Sequence, residues 1–163
     1  MNQAGLQLEQ APPISVPFQF FLVAPFFLLL AAAAMLWSGP EAFAVRVSPT
    51  LIAITHLYTL GFMAMAMIGS MMQMLPVLQG SPVPRARATA VLTYAGVGLG
   101  TLSLAAGFLF SERWLLKAGA VALTAGFLVF AVAVLVCLAR APSQTHTVRA
   151  MWLAVLSLLA AVV

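Results

Sequence analysis

Charge is what this chain has least of. Only ten of its 163 residues are Asp, Glu, Lys or Arg, a share of 6 %. A soluble domain carries about a quarter charged residues and is about half apolar. Here 64 % of residues are apolar and the mean hydropathy is +1.11. So small a polar stock cannot cover the surface of a soluble 17.2 kDa chain. That excludes a soluble globular enzyme, a disordered tail and a nucleic-acid-binding domain. The isoelectric point near 10.3 does not change this, because seven Lys and Arg spread along the chain form no basic stripe.

Other absences narrow the chemistry. The single cysteine, Cys137, excludes an intrachain disulfide and reads as a small hydrophobe inside an apolar run. Glu9, Glu41 and Glu112 all fall outside the long apolar runs, so no acidic proton relay crosses them. No Ser/His/Asp, Cys/His, paired-carboxylate or zinc-spaced set is present. Gly96-Val97-Gly98-Leu99-Gly100 follows no strand and has no acidic ribose partner, so it is no nucleotide loop. Its Gly96 and Gly100 read instead as a close helix crossing.

What remains is an all-α, polytopic transmembrane bundle. A hydrocarbon core about 30 Å thick needs about 20 apolar residues as helix. Four uncharged stretches hold complete spans, expected at residues 18–37, 50–78, 89–110 and 114–138, behind a tail at 1–17. Pro25 is expected to kink the first. Gly and Pro at Ser38-Gly39-Pro40 and Gly80-Ser81-Pro82 end the first and second. Ser111-Glu112-Arg113 is short enough to force an antiparallel hairpin of the third and fourth. Trp37 and Trp114 belong at one interface and Trp152 near the other.

A fifth run, 150–163, would reach only about 21 Å as helix. It stops without a terminal anchor, so the expectation is the front part of a longer polytopic protein. A shallow or re-entrant final helix is the alternative. With alternating spans, Arg85, Arg87, Arg140 and Arg149 share the N-terminal side, against Arg46, Arg113 and Lys117. The positive-inside rule then places the N-terminus in the cytoplasm.

The second span holds the unusual chemistry. His56 is the one histidine within a span, and an ionisable group at membrane depth is by default a functional hypothesis. At about 100° per residue, His56, Met63, Met67, Met71 and Met74 share a stripe. Three readings of His56 stand open: an axial haem ligand, a copper(I) site with the thioethers of Met63 and Met67, or a structural histidine. His146, in the polar linker, reads as solvated or at headgroup level.

The wording around His56 adds to this. Thr55-His56-Leu57-Tyr58-Thr59-Leu60-Gly61-Phe62, then Met67-Ile68-Gly69-Ser70 and Gln73-Met74-Leu75-Pro76-Val77, resembles the second helix of haem–copper oxidase subunit-I-like proteins. It is also similar to nitric-oxide-response haem/copper membrane proteins of bacteria. Pro17-Phe18-Gln19-Phe20-Phe21 with Ala24-Pro25-Phe26 is similar to the start of such relatives, so the resemblance covers residues 18–84.

That resemblance implies a bacterial inner-membrane protein with His56 as a low-spin haem's axial ligand and Gly61 and Gly69 packed closely around the macrocycle. It also implies respiratory electron transfer or handling of a small gas such as nitric oxide. The departure is equally plain. An oxidase centre needs further histidines, and this chain has only His56 and His146, so alone it lacks an oxygen-reducing site. Missing ligands would come from remaining C-terminal helices, a second copy or respiratory partners. The competing functions are a copper or small-solute permease component, or a cofactor-free assembly or structural subunit.

Overall fold

The computed structural model describes residues 7–45, 47–141 and 146–162. Expectations that rest on Arg46, on 1–6 of the tail, on 142–145 of the last linker or on Val163 fall outside them. Five helices follow one another: α1 (Ser15–Ser38), α2 (Pro49–Gln79), α3 (Ala86–Leu109), α4 (Arg113–Ala139) and α5 (His146–Val162). Short 3₁₀ turns at Leu8–Gln10 and Gly39–Phe43 flank α1, and no strand occurs among the described residues. The first four helices are long and apolar enough to cross a membrane; α5 is apolar but shorter. The chain is a multi-pass, all-α membrane protein.

Helix α2 starts and stops where its residues dictate. At the head of α2, the Ser48 hydroxyl accepts from the Leu51 N–H at 3.1 Å and donates to the Ala42 carbonyl at 2.8 Å. Pro49 takes the first helical position, where its missing N–H loses nothing. Gly80, at φ +64°, closes α2 in the left-handed conformation that only glycine adopts without strain. Helix α1 begins three residues before its expected start, and Pro25 lies within an unbroken helix to Ser38. Helix α5 begins at His146 rather than 150, so that His146 and Thr147 belong to helix and not to linker.

Apolar side chains fill the interior and also cover much of the exterior. Helix α1 buries Val16, Phe20, Ala24, Phe27 and Ala31 at helical spacing and exposes Phe18, Leu22, Phe26, Leu29 and Leu36. Every charged residue whose side chain is described is exposed. Lipid tails are as apolar as Leu, so close packing must hold the helices together.

Helices α3 and α4 show how. A Cβ on Gly96 would come within 2.6 Å of Gly126 Cα, and one on Gly119 within 2.6 Å of the Leu104 nitrogen. Gly100 meets the backbone of Leu123, and Gly107 that of Leu116, each at 2.8 Å. The antiparallel hairpin expected from the Ser111-Glu112-Arg113 turn is therefore present, and its crossing extends well beyond the Gly96/Gly100 pair.

The bundle has two unlike ends. At one, the Gln7 N–H donates to the Val77 carbonyl at 3.0 Å, Cys137 Sγ–H to Ser81 O at 3.0 Å, and Gln79 Nε2–H to Met151 Sδ at 3.3 Å. These bonds bring together the chain start, the α2–α3 turn, the end of α4 and the start of α5. At the other end lie the α1–α2 and α3–α4 connectors, with Trp37 and Trp114 strongly exposed.

Candidate functional site around His56

His56 sits at the second of these ends, eight residues into α2, or about 10 Å along its axis. Its Nδ1–H donates to the Ile52 carbonyl one turn back, at 2.7 Å. A carbonyl can only accept, so Nδ1 is the protonated nitrogen in this contact, and in the tautomer with that one proton Nε2 carries the lone pair. The ring stacks on Phe108 of α3, with centroids 5.6 Å apart and planes 25° from parallel. One nitrogen anchored to backbone and one ring face held by an aromatic fix the direction of Nε2 in a half-buried residue.

Directly after His56 the helix changes its winding. Leu57–Ala64 is π-helical, a winding that no local pattern of its residues marks. Such segments are rare and occur mostly as single-turn bulges, frequently at functional sites. Three side chains load carbonyls in the turns just before it: Thr55 Oγ1–H bonds Leu51 O and Thr59 Oγ1–H bonds Thr55 O, both at 2.8 Å, beside the His56 bond to Ile52. Side-chain bonds of this kind compete with the backbone ladder and bend helices.

Met63, Met67 and Met74 of the expected stripe do share a face, and it is the outer one. Met63 is 42 % and Met67 64 % exposed and Met74 also faces outward, while Met65 and Met72, which lie off the stripe, are fully buried. The copper ligands proposed beside His56 therefore lie on the outer face, whereas His56 leans inward on α3.

A second expectation is corrected. Gly61 and Gly69 do not leave room for a macrocycle. The space a Cβ would take at Gly61 is filled by the Phe27 ring, and at Gly69 by Phe20 Cβ at 3.0 Å and Pro17 O at 3.2 Å. Both glycines serve the crossing of α1 on α2.

An open groove of about 460 Å³ does lie at this end, between α1, α2 and α3. Ala33, Ala34, Ala105 and Ala106 keep it wide, Leu57 forms its floor and Trp37 its rim. His56 does not line it; the imidazole rests on the Phe108 flank of α3 instead. No group of three or more His, Cys, Asp or Glu occurs among the described residues. His146 is exposed at the start of α5, at the opposite end from His56.

For a haem, the fit is thus one-sided. The orientation and free Nε2 of His56 suit an axial ligand, but the described residues supply neither a second ligand nor an enclosing cleft. No family model, curated protein or solved structure matches the chain. The fold and site define a multi-pass α-helical membrane protein with one ordered intramembrane histidine.

Proposed function

We infer that the chain is one half of a membrane haem site. His56 would be the axial ligand, in a protein resembling oxidase subunit I that serves respiratory electron transfer or handles a small gas such as nitric oxide. The observation that supports this reading is the Nδ1–H bond to Ile52, which turns an otherwise mobile imidazole into an oriented Nε2 donor. Ligand histidines generally have their second nitrogen held in this way. A bound haem would supply one-electron transfer or gas ligation at its iron. This chain's own part is to fix the ring azimuth through Ile52, to cover one ring face with Phe108 and to exclude water with apolar neighbours. The opposite wall and the second ligand would come from further helices or a second copy of the chain, within a bacterial inner membrane and with the N-terminus in the cytoplasm.

The stack on Phe108 also favours a second reading, in which His56 is a packing residue of an assembly subunit that binds no cofactor. Spectra separate the two. The purified protein should show a Soret band that His56→Ala abolishes and Phe108→Leu shifts or weakens. Absence of the band in the wild type, or its survival unchanged in His56→Ala, sinks the haem reading.

A further inference from the structure

A second groove, of about 540 Å³, runs between α3 and α4 at the other end of the bundle, far from His56. Its walls are Ala88 and Leu92 of α3 and Leu128, Val129, Val132 and Val136 of α4. Leu92 and Val132 are more than half exposed, so the groove opens sideways, where lipid tails lie. From Leu128 to Val136 it follows α4 for about 12 Å. This floor is wholly apolar.

Its polar end is different. Arg85 lines the mouth beside Pro84 and Thr89, and the Thr89 hydroxyl is already used in donating to Pro84 O at 2.8 Å. Arg140 stands one helical turn beyond Val136, on the same face of α4. The glycine register of the hairpin, Gly96 on Gly126 and Gly107 on Leu116, brings these chain positions to the same level of the bundle. Both arginines are exposed. Neither side chain has an ion-pair or hydrogen-bond partner among the described residues.

A tail-shaped apolar trough with Arg85 at its mouth and Arg140 a helical turn beyond is complementary to one kind of molecule abundant in a bilayer. We propose that this groove binds an anionic phospholipid, with an acyl chain between α3 and α4 and the headgroup phosphate between Arg85 and Arg140. Guanidinium groups suit phosphate oxygens through paired N–H donors. The apolar trough supplies what a surface charge alone does not, a fixed place for one chain.

Spin-labelled lipids in phosphatidylcholine vesicles containing the full protein test this. The motionally restricted fraction should favour spin-labelled phosphatidylglycerol over phosphatidylcholine by roughly fivefold or more at low salt, the scale expected for one to two basic side chains. The preference should vanish in R85Q/R140Q. It should persist in R87Q/R149Q, which removes two arginines of the same end that do not line the groove, and in R113Q/K117Q at the opposite end. Val132→Trp, which fills the trough and leaves every charge in place, should lower it too. Equal restriction of both lipids by the wild type overturns the proposal. So does loss of preference in R87Q/R149Q as large as in R85Q/R140Q, which would mark diffuse surface attraction. Helix content by circular dichroism confirms that each variant is folded.

Discussion

At the scale of single residues, glycine does in this protein what large side chains do in a soluble core. Its value differs from site to site according to what stands opposite. At Gly126 an added Cβ would meet the Val97 nitrogen at 2.8 Å and the Gly96 carbonyl carbon at 3.0 Å, both backbone atoms that cannot turn away. At Gly98 it would meet only Met65 Cε at 3.2 Å and Phe27 Cζ at 3.9 Å. The methionine methyl can swing aside. Gly126→Ala should therefore force α3 and α4 apart and destabilise by about 1–3 kcal/mol, the range for overpacking. Gly98→Ala should be neutral or mildly stabilising, since alanine is about 1 kcal/mol the better helix former. Thermal unfolding in detergent micelles should rank Gly126→Ala well below wild type and Gly98→Ala at or above it. Equal losses would show that backbone contact is not what separates the two sites.

At the scale of elements, the π segment of α2 joins the two halves of that helix. Every i→i+5 turn holds one residue more than an α turn closes upon, so the lower half is rotated relative to His56. Deleting Thr59, an exposed residue within the segment, should let α2 rewind as α-helix. His56 would then turn by about one residue step relative to Gly61, Met65 and Gly69, which are seated against α1 and α3. Helix content should persist while the melting temperature falls, and the His56-dependent Soret band should disappear with the stack on Phe108. A variant with wild-type stability and spectrum would mean that the segment positions nothing. This is also where the sequence was least legible. Helix limits lie within a few residues of those expected because charge, Gly and Pro mark them locally, and the α3–α4 hairpin follows from its short turn. The π winding and the seating of Phe27 on Gly61 depend on how α1 meets α2, which no local pattern encodes. A uniform helical step puts His56 on the face of Met63, Met67 and Met74, whereas the imidazole stacks on Phe108 of α3 and Gly61 and Gly69 are taken up by α1.

At the scale of the whole molecule, charge separates the two ends, and that asymmetry carries an orientation. Arg85, Arg87, Arg140 and Arg149 stand at the end where the chain starts, with Glu9 as their one described acid. The opposite end presents Arg113 and Lys117 beside Glu112. Lys and Arg in short loops stay cytoplasmic, so the arginine-rich end should face the cytoplasm and the His56 end the outer side. Two exposed positions report this without touching the packing: Glu112 in the α3–α4 turn and Thr147 at the start of α5. The native thiol does not interfere, because Cys137 is buried and bonded to Ser81 O. In intact cells an impermeant maleimide should label Glu112→Cys and leave both Thr147→Cys and the wild type unlabelled. After permeabilisation Thr147→Cys should react as well. Labelling of Thr147→Cys alone in intact cells would invert the topology, place His56 near the cytoplasmic face and put the Arg85–Arg140 groove in the outer leaflet. The groove's preference for anionic lipid would then have to be met from a different lipid pool.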